Sequence, residues 1–124
     1  MTSARSRRGG LARESGRRGE VWAALLLMAK GYRILGFRLA SPQGEIDLLA
    51  LRGNILAVVE VKRRTSLETA LEAVTSDQRE RLRRAAAAIA AGRPALKAAT
   101  IRLDLIALAP NRLPRHIPDA WRGG

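Results

Sequence analysis

The sequence predicts an α/β domain built as a mixed sheet flanked by helices, in the order α-β-β-β-α-β. Three observations carry this. A helical pattern precedes three β-like runs. The second and third runs are joined by a turn short enough for a hairpin. A second helical pattern then leads to one more β-like run, a crossover that places the last strand in a sheet of mixed direction.

Residues 1–10 are Ser, Arg and Gly with almost nothing apolar, which reads as a basic flexible tail. Residues 11–124 then form one domain, with 109–124 as an irregular extension. From about Leu11 to Lys30 the pattern is helical. Val21, Leu25 and Met28 fall on one face and Trp22, Leu26 and Ala29 on the next, so this helix is expected to be buried nearly all round. Gly31 stops it. Tyr32 to Leu39 is a first strand, and Ser41-Pro42-Gln43-Gly44 a turn. Glu45 to Arg52 and Ile55 to Arg63 are the hairpin strands around Gly53-Asn54. A loop runs to Thr75, which with Ser76 can cap a helix reaching Ala91. In that helix Leu82, Ala85, Ala86, Ile89 and Ala90 make a stripe suited to close contact with a sheet. Thr100 to Leu108 is the fourth strand, and Trp121 is placed to anchor the tail by packing.

The composition narrows the chemistry. There is no cysteine among the 124 residues, so disulfide scaffolds, thiolate zinc sites and thiol nucleophiles are excluded. The net charge of +12 favours anionic partners. Basic residues are almost all arginine, and the only lysines are Lys30, Lys62 and Lys97. Lys62 lies two residues after Glu60 in an apolar strand, where a desolvated ammonium differs most from a guanidinium. No apolar run is long enough for a membrane span, so no membrane partner is expected. Arg7-Arg8 ahead of Val21 to Ala29 imitates a twin-arginine export signal, but Glu14, Arg17, Arg18 and Glu20 intervene and no cleavage site follows. The expected location is cytoplasmic.

Asp47, Glu60 and Lys62 are charges inside apolar strands, which are costly unless paired or bound to a cation. A two-residue turn at Gly53-Asn54 sets Asp47 opposite Glu60 and Glu45 opposite Lys62, all on one face. Two facing carboxylates repel, and a divalent cation reverses that sign. Hard oxygen ligands without Cys or a useful His favour Mg²⁺ or Mn²⁺. Asp47 and Glu60 could hold such an ion beside a phosphodiester, with Lys62 positioning water or stabilising developing charge. No Ser-His-Asp set and no Walker-type loop is present. His116, the single histidine, reads as structural or exposed rather than catalytic. Taken alone, Glu20 reads as an ion-pair partner of Arg17 or Arg18, or as a solvated residue.

Asp47 followed after twelve residues by Glu60-Val61-Lys62 resembles the D…(D/E)xK core of restriction-endonuclease-like nucleases. Gly16 to Glu20, Lys30 to Leu35, Gly44 to Leu49, Val59 to Arg64, Arg102 to Ile106 and His116 to Trp121 sharpen this into a resemblance to the YraN family, small bacterial proteins related to Holliday-junction resolvases. The resemblance implies metal binding by Asp47, Glu60 and the Val61 carbonyl. It implies a catalytic role for Lys62 and moves Glu20 into the acidic site. It also implies DNA as partner, with Arg17, Arg18, Arg63, Arg64, Gln78 and Arg79 as contacts. Paired cuts in a junction would suit a homodimer. Where relatives often carry lysine at the start of the second helix, this chain has Gln78. Two other readings stay open. One is a non-catalytic nucleic-acid-binding protein on a nuclease fold, for which four aromatic residues are few for single-strand stacking. The other is a buried ion-pair network with no metal affinity.

Overall fold

Three tight turns and one crossover set the architecture. The computed structural model describes residues 18–122. Residues 18–29, here α1, form the described part of the first helix. It ends at Gly31, whose φ of +90° suits glycine. The Tyr32 N–H donates to the Leu27 carbonyl and the Gly31 N–H to the Met28 carbonyl, a paired closure of the last turn. The strands are β1 (Arg33–Ser41), β2 (Gly44–Arg52) and β3 (Ile55–Arg63). Gly53 takes the positive φ of the hairpin turn, +58°. Two helices follow, α2 (Leu67–Glu72) and α3 (Ser76–Ala91), then a single 3₁₀ turn at Pro94–Leu96. β4 (Thr100–Leu108) and β5 (Arg115–Ile117) complete a sheet ordered β1-β2-β3-β4-β5. β3 and β4 are parallel and every other neighbouring pair is antiparallel.

The expected element order is present, with two additions. Ser66 caps α2 by accepting the Thr69 N–H, making a six-residue helix inside the stretch expected to be loop. β5 pairs with β4 inside the segment expected to be irregular. Thr75 and Gln78 close a reciprocal capping box on α3. The Trp121 indole N–H donates to the Leu71 carbonyl at 3.0 Å, tying the tail to α2.

The sheet is covered on both faces. Leu82, Ala85, Ala86 and Ala90 of α3 pack with Leu49, Leu56, Val58 and Leu103. Ala23, Ala24 and Leu27 of α1 pack with Leu48, Ala50, Val59 and Ile106 on the other face. The expectation that α1 is buried all round is corrected here. Its contact stripe is Glu20, Ala23, Ala24 and Leu27, at i, i+3, i+4 and i+7. Small side chains let this face sit close to the sheet. The bulkier Val21, Trp22, Leu25 and Met28 are therefore left half or more exposed. No described helix is long and apolar enough to cross a membrane.

Candidate active site

The hairpin register places the acidic residues. β2 and β3 pair from Arg52↔Ile55 to Leu48↔Val59, as the two-residue turn requires, and the ladder ends there. Past that point the alternation of β2 also breaks, because Ile46 and Leu49 both belong to the α3-side core. The strict opposition of Asp47 to Glu60 and of Glu45 to Lys62 is therefore not formed as a ladder. Instead the Asp47 carboxylate accepts the Val61 N–H at 3.0 Å, filling the place of a strand partner. Glu45 pairs with Ala40 of β1. Lys62 Nζ lies 3.2 Å from Glu60 Oε1.

Asp47, Glu60 and Lys62 are nonetheless brought together. Glu60 is pushed up to about 7 from an ordinary 4.5, first by burial and then by repulsion from Asp47, with Lys62 opposing both. Glu60 forms part of the wall of a cavity of about 160 Å³ together with Gln43, Glu45, Gln78 and Arg81. Gln43 Oε1 is buried and without a hydrogen-bond partner among the described residues. Arg81, which in sequence reads as part of a solvated basic face of the second helix, lines this cavity. Its spacing of three from Gln78 on one helix is the signal that could have found it.

Glu20 is placed differently. It is buried on α1, and Arg38 Nε donates to both of its carboxylate oxygens, at 2.8 and 3.0 Å. Its partner is thus Arg38 of β1 rather than a neighbour on its own helix. Arg38 adopts φ +46°, a conformation costing a non-glycine residue about 1–2 kcal/mol. Among the described residues, no hydrogen bond or ion pair links Glu20 to Asp47, Glu60 or Lys62. No group of three or more His, Asp or Glu side chains among them could hold a metal ion.

The expected nucleic-acid contacts also scatter. Arg17 lies outside the described residues. Arg18 and Arg63 share the wall of a second cavity. Arg64 is exposed and donates to the Arg63 carbonyl at 2.7 Å. Gln78 Oε1 accepts the Thr75 N–H at 2.9 Å. Arg79 donates to the Val74 carbonyl at 2.9 Å, with its guanidinium 5.7 Å from the centre of the Trp121 ring.

A separate buried cluster sits on the α1 side of β4. Asp104 is fully buried and accepts two bonds from Arg102, both 2.8 Å, one from His116 Nε2 at 2.8 Å and one from the Asp119 N–H at 3.0 Å. Burial alone would raise its pKa, but these donors, Arg102 foremost, outweigh burial and hold the carboxyl below its usual range. Arg102 also donates to the Tyr32 hydroxyl, and Lys30 to His116 Nδ1. With Nδ1 accepting, the ring proton sits on Nε2 and is donated to Asp104. His116 is a structural residue here.

With this geometry in hand, the comparisons decide the family. The model of the uncharacterised protein family UPF0102 matches residues 19–108, spanning all four long strands and both α1 and α3. The chain belongs to UPF0102, the YraN family. A UPF0102 protein of Caulobacter vibrioides is 68% identical over 119 residues, covering 96% of this chain and 95% of that one. One from Caulobacter sp. strain K31 is 73% identical over 114 residues, covering 92% and 82%. A UPF0102 protein of Paramagnetospirillum magneticum is 50% identical over 115 residues, covering 90% and 89%. Glu20, Asp47, Glu60 and Lys62 all lie inside the UPF0102 match.

Proposed function

We infer that the chain is a metal-dependent DNA endonuclease that hydrolyses phosphodiesters, with branched or recombination-intermediate DNA as the substrate its family resemblance suggests. One observation carries the reading: Asp47, held by the Val61 N–H, and Lys62, 3.2 Å from Glu60 Oε1, meet around Glu60 on β3, whose carboxyl pKa burial and Asp47 push up. A pair of carboxylates arranged only for stability would be kept apart. Carboxylate oxygens are the ligands that Mg²⁺ and Mn²⁺ prefer, and Mg²⁺ is commonly held by one or two of them together with substrate phosphate. Asp47 and Glu60 fit that requirement without a third acidic group, and the Val61 carbonyl is the further oxygen assigned to the site. When bound, such an ion polarises the phosphate and lowers the pKa of water.

The chain's own residues do the rest. The Val61 N–H fixes one Asp47 oxygen and thereby aims the carboxylate. Lys62, held beside Glu60, supplies a positive charge for the oxyanion that develops as the P–O bond breaks. Gln78 and Arg81 flank the cavity at the start of α3, where the phosphodiester would lie. Glu20, already neutralised by Arg38, positions α1 against β1 rather than supplying a ligand.

A non-catalytic nucleic-acid-binding protein is the second reading, supported by the net charge of +12. The test is a cleavage panel of linear, nicked, flapped and four-way DNA with Mg²⁺ and Mn²⁺, run beside Lys62→Ala and Asp47→Ala. The nuclease reading expects metal-dependent cleavage lost in both variants. Cleavage that survives both, or DNA binding with no turnover on any substrate, sinks it.

A further inference from the structure

A cavity of about 400 Å³ opens where β3 and β4 end beside Arg18 and Trp22 of α1. Its walls include Arg18 and Trp22 of α1, Arg63 of β3, and Arg112, Leu113 and Pro114 beyond β4. No carboxylate lines it among the described residues. None of the three guanidiniums has an ion-pair partner among the described residues. Three like charges around one cavity repel unless an anion joins them. Arg18 and Trp22 are one helical turn apart and so share a face. Trp22 is 61% exposed because α1 packs through its small residues. Gly19 lets this happen. A Cβ there would lie 2.7 Å from Leu108 Cδ1 and 3.5 Å from Arg63 Nη2, so helix and strand end meet closely. Successive strand residues point to opposite faces. Lys62 and Arg63 therefore straddle the end of the sheet, the former toward the candidate active site and the latter toward this cavity.

We propose that this cavity binds one nucleotide of the DNA strand next to the scissile phosphate, its base stacked on Trp22 and its phosphate held by Arg18, Arg63 and Arg112. The inference rests on the nucleic-acid reading above and names how that substrate is held. An exposed indole beside guanidiniums matches both chemistries of a nucleotide, a π face and an anion. A phosphopeptide or an anionic lipid headgroup would use the arginines without needing the ring. Four aromatic residues cannot build a multi-base platform, but one exposed Trp suffices for a single stacked base.

The test titrates the full chain with a short oligothymidylate at low salt and follows tryptophan emission and the anisotropy of a labelled oligonucleotide. Trp121, bonded to Leu71, supplies a constant background. The oligonucleotide should quench the emission. Trp22→Ala should abolish the quench and weaken binding about tenfold, and Trp22→Phe should keep most of the affinity. Arg63→Ala and Arg112→Ala should each lower the log–log salt slope by about 0.7. Arg83→Ala, exposed on α3, controls for lost charge alone. Wild-type binding and quenching by Trp22→Ala, or a loss no greater than that of Arg83→Ala, overturns the pocket. So does binding of anionic vesicles through the three arginines without oligonucleotide binding. If cleavage survives both Lys62→Ala and Asp47→Ala but the quench still needs Trp22, the nuclease reading falls and the pocket stands. If Lys62→Ala abolishes cleavage while Trp22→Ala binds normally, the pocket alone falls.

Discussion

Glu60 carries a destabilising charge that its position imposes. Its carboxyl titrates near 4.5 in an unfolded chain and near 7 in the fold, because of burial first and Asp47 second. Between those values the folded chain binds more protons than the unfolded one, so stability falls as pH rises through that window. Below about pH 4.5 the effect is absent, and above about pH 7 it is complete. Glu60→Gln removes it. Chemical denaturation at pH 8 should show this variant more stable than the wild type by about 2–3 kcal/mol, with the difference vanishing at pH 4. Addition of Mg²⁺ at pH 8 should stabilise the wild type and not the variant. A variant less stable than the wild type at pH 8 would mean that Lys62 already compensates Glu60 fully. Asp47, Glu60 and Lys62 were all legible in the sequence as charges within apolar runs. The Arg38 partner of Glu20 was not, because a left-handed residue within a strand leaves no pattern in the neighbouring side chains.

At the scale of elements, the Asp104 cluster joins β4 to β5 and to the end of α1. Asp104 draws in Arg102 from its own strand, His116 from β5 and the Asp119 backbone beyond it. Its depressed pKa adds stability that is fully present above the ordinary value of 3.8 and is lost as pH falls through the folded value. Asp104→Asn should cost about 3 kcal/mol in urea denaturation, because it leaves the partly buried Arg102 without its counter-charge. Amides of β5 should lose hydrogen-exchange protection first. Unchanged protection would mean that the β4–β5 ladder holds the tail unaided. The cluster also explains why β5 escaped the sequence reading. A strand of three residues bounded by Pro114 and Pro118 has no period of its own, and its partners for the side chains are distant in sequence. α2 escaped for a similar reason, since six residues are too few to show a helical stripe. The long strands and α3 had clear periods, and their bounds were read closely. α1 was read as a helix correctly but expected to be buried nearly all round, because hydrophobicity ranks Trp22 and Leu25 above the alanines that make the contact.

For the whole molecule, the net charge of +12 sets the behaviour expected with DNA. Neutralising about five phosphates of a duplex gives a log–log salt slope of about −4.5, so affinity should fall steeply between low and physiological salt. A flat salt dependence measured by filter binding or anisotropy would remove electrostatics as the source of binding. Fold class and family could both be read from the chain, because turn chemistry and strand patterning agree throughout. The basic cavity could not, since it joins residues from α1, β3 and the segment after β4 that meet only in three dimensions. The sheet's two borders have a further consequence. β1 is irregular between Ile34 and Gly36 and again at the left-handed Arg38, while β5 is only three residues long. Neither border offers a long regular row of free amides and carbonyls, so each is a poor template for edge-to-edge aggregation.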